Sequence, residues 1–599
     1  MFKFNVKDVA IVQLTNFKSG TVEGNKESDK KSKETYLTKQ QSELFEYIRD
    51  RQDRKDWSDK RAEERKDFFP KEYYYGTKMI NNQAACPDGS FVTFVSSDFP
   101  KNVPTKVEHH INADGFTNNV SARSKVSVKN LGENKLGIYH VAKDTFFFID
   151  PSALSGIKNQ PEYYKEYPSL VEKEPQPKAV QFGQPVFNKQ GTIAIVEVRS
   201  QDNKDRWIVR MLPETGAIIE LNHQHDTAWI NGPGIGYGFG VLGFLQDDET
   251  IYFQSEVTGY SHLYTLNVTT GAKSALTSGK WEVRGVKLSN DGKTFFLHTN
   301  TRHPGNREFY TLDIASRQMT GILVGDGAHE VVLSPDEKSL LVRYSYKNKP
   351  WDLYIAENKT NTIIRPITKS TKEAFDNYPW IAPEVINFKA KDGQNVYARI
   401  YQPKAKIKNG AAVIFVHGAG YLQNAHNHWS SYMREYMFHN LLTDKGYTVL
   451  DIDYRGSDGY GRDVRTGIYR YMGGLDLSDH IDGKNHLVSK YNIDPKRVGM
   501  YGGSYGGFIT LMALLTEPGT FKAGAALRSV TDWAHYNHGY TSNILNFPET
   551  DSIAYRRSSP IYFAENLQDK LVMLHGMVDD NVQFQDVVRL SQRFIELGK

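Results

Sequence analysis

The sequence has a single cysteine, Cys86, among its 599 residues. One thiol excludes an internal disulfide framework and a cysteine-rich metal site, and it suits an oxidising or a reducing compartment equally well. The sequence has no apolar stretch long enough to span a bilayer, and residues 1–17 lack the charged head, long apolar centre and small-residue cleavage site of a signal peptide. We therefore expect no membrane span, and the compartment stays open: periplasmic or secreted if a signal precedes these residues, otherwise cytoplasmic.

An excess of charge of one sign is also missing. Lys and Arg number 74 against 70 Asp and Glu, which leaves a net charge of +4. So small an excess over this length excludes the basic footprint of a nucleic-acid or acidic-membrane partner. Hydrophobic residues make up 39% of the chain, so we expect a globular protein of more than one domain that binds a small ligand or a peptide.

Residues 1–380 contain a repeated strand pattern. Apolar runs follow polar turns in "ACPDGSFVTFV", "VFNKQGTIAIVEV", "FLQDDETIYFQSE", "VKLSNDGKTFFLHT" and "VLSPDEKSLLVRY". The later turns recur roughly every 45 to 60 residues, the period of propeller blades built from four antiparallel strands. The pattern predicts a β-propeller domain over residues 1–380 with about seven or eight blades, and the alternative is another kind of β-rich domain.

One segment of this domain departs from the strand pattern. Residues 36–68 are dense in charges of both signs, which predicts a solvated helical insert, with a docking arm as the alternative. The only adjacent pair of glutamates, Glu63 and Glu64, lies in this segment. We expect that pair to form surface salt bridges.

Residues 381–599 alternate buried-type strands with helices. The runs "AAVIFVHG", "YTVLDIDYRG", "RVGMYGG" and "KLVMLHGMVDD" are typical of strands, and "GGFITLMALLTE" is typical of a helix. This alternation predicts a doubly wound, mostly parallel sheet covered on both faces, as in an α/β-hydrolase domain.

The stretch "YGGSYGGFITL" contains the candidate nucleophile, Ser504. A strand runs directly into "GGSYGG" and then into a helix, which is the strand, sharp turn and helix of a nucleophile elbow. Gly502 and Gly506 have no Cβ atoms to clash in so tight a turn, and this leaves the serine hydroxyl exposed above the sheet. The alternative is a glycine-rich turn without catalytic meaning.

A serine nucleophile needs a base that is itself oriented by a carboxylate. Asp579, after the strand "KLVMLHGMV", is the candidate acid, with its neighbour Asp580 as the rival. No histidine follows Asp579, and His575 precedes it on its strand, so we expect His575 to be structural. The chain also ends in a helix with no further strand, so we expect a truncated domain that lacks its last strand and helix and the triad histidine.

Several of these motifs occur together in one known family. A propeller followed by "DYRGSDGYGR", "GGSYGG" and "HGMVDDNVQF" resembles the prolyl oligopeptidase family of serine peptidases, and within it the dipeptidyl peptidase IV-like branch. The resemblance implies that Ser504 is the nucleophile, Asp579 the triad acid and Asn581 a ligand of a substrate carbonyl. It also implies a pocket for the residue before the scissile bond, with these members: Val530, Trp533, Tyr536, Tyr540, Tyr505 and Val582. Such an aromatic box suits proline or alanine.

The chain departs from the family pattern at two further points. The family's pair of glutamates that binds a free amino terminus has no matching motif, because the pair at residues 63 and 64 lies in the charged insert. His417 stands where this branch places a tyrosine in the oxyanion hole. The resemblance therefore implies that the Tyr505 N–H is one oxyanion donor and that His417 or Tyr421 is the second.

The sequence thus predicts a serine peptidase that cleaves short peptides, removes N-terminal dipeptides after Pro or Ala, and needs no metal or organic cofactor. An oligopeptidase, acylaminoacyl peptidase or esterase of the same family is one alternative. A catalytically dead binding protein is another, since the triad histidine is missing. A homodimer is compatible with the sequence but is not indicated by it.

Overall fold

The computed structural model of the chain describes residues 1–5, 10–20, 36–65, 70–98, 104–126, 132–236 and 238–599. Its first elements are, in chain order, β1 (Phe2–Asn5), β2 (Ala10–Gln13), β3 (Asn16–Lys18), α1 (Tyr36–Leu44), α2 (Glu46–Arg65) and β4 (Glu72–Tyr74). Strands β1 and β2 form a hairpin, and β3 pairs with β4. The predicted charged insert thus contains α1 and α2, and α2 buries none of its residues. Residues 66–68 of that prediction lie outside the described residues.

Five antiparallel sheets of four or five strands follow. The first contains β5 (Met79–Ala85) and β6 (Phe91–Ser97), then the inserted hairpin of β7 (Thr105–His109) and β8 (Asn118–Ala122), and then β9 (Asn134–His140) and β10 (Thr145–Phe148). Three-residue and five-residue 3-10 helices at Pro151–Ala153 and Glu162–Glu166 and helix α3 (Pro168–Val171) precede the second sheet. Its strands are β11 (Val180–Phe182), β12 (Val186–Phe187), β13 (Ala194–Ser200), β14 (Asp205–Leu212) and β15 (Ala217–His225).

The remaining three sheets have four strands each. The third is β16 (Leu242–Phe244), β17 (Thr250–Ser255), β18 (His262–Asn267) and β19 (Lys273–Ala275). The fourth is β20 (Val283–Leu288), β21 (Thr294–Thr299), β22 (Glu308–Asp313) and β23 (Met319–Leu323). The fifth is β24 (Ala328–Leu333), β25 (Ser339–Tyr346), β26 (Lys349–Glu357) and β27 (Arg365–Pro366).

The repeated polar turns of the sequence connect strands within these sheets. Each turn has one residue at positive φ, where glycine is favoured: Gly89, Gly191, Asp248, Gly292 and Glu337. Apolar side chains of successive sheets then pack face to face, so that one buried cluster lies between each sheet and the next. This stacking of twisted four-stranded sheets is the blade packing of a propeller.

The described residues contain five blade sheets, fewer than the seven or eight that the repeat spacing predicts. The difference lies in the first part of the chain. Residues 36–65 are helical, the hairpin of β7 and β8 forms its own two-stranded sheet, and the residues around 151–171 form short helices. The predicted number comes from dividing the length of the domain by the blade period. The inserts add residues to the domain without adding blades.

The second half of the chain starts with α4 (Glu373–Asp376), β28 (Glu384–Lys389), β29 (Asn395–Tyr401), a 3-10 turn at Ala405–Ile407, β30 (Ala412–Val416), α5 (Met433–Asp444), β31 (Thr448–Asp453), α6 (Arg462–Arg465), a 3-10 turn at Thr466–Ile468 and α7 (Leu475–Tyr491). It continues with β32 (Val498–Gly503), α8 (Tyr505–Thr516), β33 (Ala523–Leu527), a 3-10 turn at Trp533–His535, α9 (His538–Leu545), α10 (Ser552–Arg557), a 3-10 helix at Pro560–Asn566, β34 (Lys570–Leu574) and α11 (Phe584–Glu596).

These strands form one seven-stranded sheet in the order β28-β29-β31-β30-β32-β33-β34. The first two pairings are antiparallel, and the strands from β31 to β34 are parallel. Helix α8 runs back along the centre of the sheet, and all its residues from Tyr505 to Leu515 are buried. At the edge, the β34 side chains of Val572 and Leu574 are 55% and 58% exposed. Among the described residues, no helix is long and apolar enough to cross a membrane.

Candidate active site

Ser504 occupies the turn between β32 and α8. Its backbone has φ 59° and ψ −119°, a conformation that costs free energy for a residue with a side chain. Two hydrogen bonds hold it there: Ser504 N donates to Leu527 O at 2.9 Å, and Phe508 N donates to Ser504 O at 3.0 Å. The turn therefore presents the serine hydroxyl at the carboxyl end of β32, which is the geometry of a nucleophile elbow.

The glycines on both sides of Ser504 are required by close packing. A Cβ atom on Gly502 or on Gly506 would lie under 3.0 Å from the carbonyl oxygen of Val416 on β30. A Cβ atom on Gly507 would be equally close to Leu527 O. Since no side chain fits at these points, the elbow can form only with glycine there, as the sequence predicted for positions 502 and 506.

The elbow opens into a cavity of about 170 Å³. Eight of the predicted site residues line it together: Tyr421, Ser504, Tyr505, Val530, Trp533, Tyr536, Tyr540 and Asn581. Trp533 and Tyr540 stack with ring centres 5.8 Å apart, and Tyr536 meets Trp533 edge to face at 5.6 Å. The result is a small box with aromatic walls and the candidate nucleophile at its mouth.

The hydroxyl groups of these tyrosines are bound at the margin of the box. Tyr505 OH donates to Asp476 Oδ2 at 2.6 Å, Tyr536 OH donates to Asn581 Oδ1 at 3.0 Å, and Tyr540 OH donates to Ala419 O at 3.2 Å. Burial raises the pKa of Asp476 to about 6 and that of the Tyr505 phenol well above its usual value. The rings are thereby fixed in orientation.

The backbone N–H of Tyr505 belongs to the first residue of α8, and the first N–H groups of a helix have no partner within it. The positive end of the helix dipole adds to the attraction of this group for an anion. This is the position at which an elbow places one donor of its oxyanion hole.

Asp579 lies in the turn after β34. Its Oδ1 accepts hydrogen bonds from the backbone N–H groups of Asn581 at 3.0 Å and of Val582 at 2.9 Å. Asp579 is partly exposed and Asp580 is exposed. Val582 is buried with Trp533 in the main core cluster and does not line the cavity, so it supports the box from behind.

His575 is held away from the serine by its own contacts. Its side chain is 2% exposed, Nε2 donates to Val582 O at 2.8 Å, and Asp579 Oδ2 is 3.8 Å from the same nitrogen. Among the described residues, no side chain hydrogen-bonds to the Ser504 hydroxyl. The described part of the chain thus contains the elbow and the candidate acid but no base in contact with the nucleophile.

The structure does not place His417 at the cavity, which corrects one of the two suggestions for a second oxyanion donor. Its ring is fully buried and stacks on Tyr454. Nδ1 and Nε2 are within 3.0 Å and 3.1 Å of Gly418 O and Ser457 Oγ, and burial lowers the pKa of His417 to about 4, so the ring is neutral. Both nitrogens are used in the core, whereas Tyr421 lines the cavity.

Arg123 also lines the cavity and was not found from the sequence. The propeller segment that carries it pairs with the wall of the box. Val126 N donates to Tyr536 O at 2.7 Å, and Lys125 forms a β-bridge with Asn537. The ammonium group of Lys125 also hydrogen-bonds to side chains of the catalytic half, His535 and Gln585. The sequence around this arginine has no motif. The arginine reaches the site only because its segment contacts residues some four hundred positions later in the chain.

The two adjacent glutamates of the charged insert lie on α2, away from the residues that line the cavity. None of the described residues that line the cavity is acidic. Among the described residues, there is also no group of three or more His, Cys, Asp or Glu side chains placed to hold a metal ion.

Comparison with known families gives two matches. Residues 435–599 match the sequence model of the prolyl oligopeptidase family, and residues 186–351 match that of the dipeptidyl peptidase IV (DPP IV) N-terminal region. The first match contains the elbow, the box and Asp579. The second falls on the blade sheets.

Curated proteins with similar sequences include dipeptidyl peptidase 8 of Mus musculus, 27% identical over 438 residues that cover 65% of this chain and 48% of that protein. Prolyl endopeptidase FAP of Bos taurus is 24% identical over 421 residues, covering 66% and 52%. The chain thus spans about half the length of the curated relatives that it matches.

Among solved structures, dipeptidyl peptidase 4 of Porphyromonas gingivalis is similar with a TM-score of 0.70 at 21% identity, over 86% of this chain and 69% of that one. At this identity the likeness shows the fold. The prediction of a propeller joined to an α/β-hydrolase domain is confirmed by this likeness and by the two family matches.

The crowded elbow gives a prediction about stability. Replacing Gly506→Ala inserts a methyl group against Val416 O, and we expect it to lower the free energy of unfolding by about 1–3 kcal/mol or more. The matched control is Gly499→Ala on β32, the strand that leads into the elbow, because a Cβ atom there meets its nearest neighbour at 3.5 Å, an ordinary contact. The midpoint of urea unfolding measures both variants, and equal midpoints would contradict the close packing described for the elbow.

Proposed function

Because the chain belongs to the prolyl oligopeptidase family, in its dipeptidyl peptidase IV-like branch, we propose that it hydrolyses short peptides through an acyl-enzyme formed on Ser504. The main support is the position of this serine, which lies on a strained elbow at the mouth of a small aromatic cavity. In its finer form the proposal is the removal of N-terminal dipeptides after Pro or Ala.

In the proposed reaction the Ser504 oxygen attacks the substrate carbonyl, and the oxyanion that forms is stabilised by the Tyr505 N–H at the start of α8. Tyr421, which lines the same cavity, supplies the second donor. Asp579 orients the histidine base that a serine nucleophile requires. In the protein as it acts, that base takes the serine proton and returns it to the leaving amine, and water then releases the acyl group.

The box accounts for the proposed preference at the residue before the scissile bond. A space of about 170 Å³ between aromatic rings accommodates a proline ring or an alanine methyl, which have no polar atoms to leave unpaired. Arg123 and Asn581 lie on the rim, where their N–H groups can donate to carbonyl oxygens of the bound peptide.

A second candidate function is an oligopeptidase or acylaminoacyl peptidase of the same family. The absence of acidic side chains among the described cavity-lining residues favours it, since a dipeptidyl peptidase must bind a free ammonium group. The two candidates are separated by the ratio of kcat/KM for Gly-Pro amides with free and with acetylated amino termini. A higher value for the free peptide supports dipeptide release, and a higher value for the acetylated peptide supports the second candidate.

Replacement of the nucleophile, made in the protein that carries its histidine base, tests the proposal directly. Ser504→Ala removes the attacking oxygen, so hydrolysis of a Gly-Pro amide is expected to fall by about 10⁶-fold, below detection. A fluorophosphonate probe is expected to label the unmodified protein at Ser504 and to leave the variant unlabelled. Turnover that persists in the variant, or an unmodified protein that neither turns over nor reacts with the probe, contradicts the proposal, and the second result favours a binding protein.

The two adjacent carboxylates provide a matched pair of variants. Asp579→Asn keeps the turn, because the amide oxygen still accepts the N–H groups of Asn581 and Val582, but it removes the charge that orients the base. We expect kcat to fall by about 10⁴-fold. Asp580→Asn, at an exposed neighbouring position, is expected to change kcat less than about twofold. The opposite ranking would transfer the role of the acid to Asp580.

The size of the box predicts the order of substrates. With a free Gly-Xaa amide series, kcat/KM for Xaa = Pro or Ala is expected to exceed that for Phe by about 100-fold, because a phenyl ring does not fit without displacing Trp533 or Tyr540. Steady-state kinetics of the series measures the ratio. A preference for Phe would show that the box is not the pocket for that residue.

A further inference from the structure

A second cavity, of about 470 Å³, lies between the fourth and fifth blade sheets, and its lining combines aliphatic side chains with three arginines and two histidines. Its polar lining residues are Arg284, His298, Arg307, His329, Glu330 and Arg343. None of these residues belongs to the cavity at Ser504. The proposed peptidase chemistry makes no use of them.

Two of the three arginines have carboxylate partners. Arg284 Nη2 is 2.5 Å from Asp458 Oδ2, and its Nη1 is 3.1 Å from Glu282 Oε2. Arg343 Nη2 is 2.5 Å from Glu330 Oε2. These ion pairs occupy the described carboxylates at the cavity wall, so no carboxylate there is left to pair with the third arginine.

Arg307 is the third arginine, and it has no carboxylate within ion-pair distance among the described residues. In the described part of the chain, its guanidinium makes one hydrogen bond, from Nη1 to the carbonyl oxygen of the preceding residue, Asn306, at 3.4 Å. It is partly buried, and burial together with the nearby charge of Arg284 lowers the pKa of Arg307 to about 10. A desolvated, unpaired cation is costly for a protein unless an anion completes it.

The histidines of the cavity neither neutralise the Arg307 guanidinium nor add positive charge to it. His298 Nε2 accepts the N–H of Val331 at 3.2 Å, and His329 Nδ1 lies 3.1 Å from Arg307 O. Burial and the charge of Arg307 lower the pKa of His298 to about 4, so this ring is neutral at physiological pH. The uncompensated charge of the cavity is therefore that of the Arg307 guanidinium.

We propose that this cavity is a binding site for a small oxyanion, a carboxylate or a phosphate, held by the guanidinium of Arg307. The planar fork of five N–H donors fits either group through two parallel hydrogen bonds. The paired arginines on both sides add a positive field that favours an anion over a neutral ligand. Binding at this site does not depend on the proposed peptidase activity.

The wall of this cavity is joined to the loop that borders Ser504. Asn427 Nδ2 donates to Asn306 Oδ1 at 2.8 Å, beside Arg307. Asp458, the partner of Arg284, donates its N–H to Leu422 O at 3.2 Å. Since residues 419–427 also contribute Ala419 and Tyr421 to the catalytic cavity, an effect of the anion on turnover is a further consequence, which rests on the proposed function.

The test measures binding in the full chain with Ser504→Ala, so that peptides are not consumed. Inorganic phosphate is titrated by calorimetry at constant ionic strength. We expect saturable binding that weakens at least tenfold in Arg307→Gln and is unchanged in the control Arg365→Gln, an exposed arginine on β27. If Arg307→Gln does not fold, Arg307→Lys, which keeps the charge and loses the fork, takes its place with an expected loss of several-fold.

A second pair of ligands distinguishes the sources of the anion. Acetyl-Gly-Gly with a free carboxylate is compared with its amide. Binding of the carboxylate and not of the amide, lost with Arg307, assigns the site to peptide carboxyl groups, and binding of phosphate alone assigns it to a free or phosphoryl anion. The proposal is overturned if neither anion binds, or if either binds equally well to the Arg307 variant and to the Arg365 control.

Discussion

The carbonyl oxygen of Val416 is the constraint on which the catalytic half of the molecule depends. It lies at the end of β30 in the centre of the sheet, where the chain of β32 turns past it into α8. A Cβ atom on residue 502 or 506 would come under 3.0 Å from it, so the turn can form only with glycine at both positions. Ser504, between these two glycines, has φ 59°. The exposure of the serine, the direction of α8 and the position of the Tyr505 N–H all follow from this one crowded contact.

The two halves of the chain are joined by a shared apolar cluster, to which the propeller contributes Val126, Ala228 and Trp229, and by buried charge pairs beside it. Arg465 on α6 pairs with Glu256 of the third sheet region at 2.6 Å, and both side chains are almost fully buried. Arg284 on β20 pairs with Asp458 of the catalytic half. Buried pairs of this kind contribute little net stability, but they tolerate few alternative arrangements. They fix the position of the propeller relative to the sheet, and in this position Arg123 reaches the mouth of the aromatic box.

The parts of the site that could be predicted from sequence are those whose geometry is local. The elbow at Ser504 depends on the five consecutive residues 502–506 and on the strand and helix beside them. The box residues from Val530 to Tyr540 also lie in one short segment, so a motif captures both. Arg123 depends on a contact with residues far along the chain, for which no local pattern exists. His417 lies at the motif position of an oxyanion donor, but a motif does not specify which way a side chain points at the end of a strand. Both nitrogens of its ring have hydrogen-bond partners in the core. The described residues contain five blade sheets rather than seven or eight for a related reason, because inserts add length without changing the repeat.

The open side of β34 has a consequence for the behaviour of the protein in solution. Among the described strands β34 pairs only with β33, so its other edge presents unpaired backbone N–H and C=O groups beside the exposed Val572 and Leu574. An apolar edge of this kind is a template for a strand from another molecule. In a preparation of residues 1–599 alone, we expect concentration-dependent self-association to start at this edge and a lower protein concentration to suppress it.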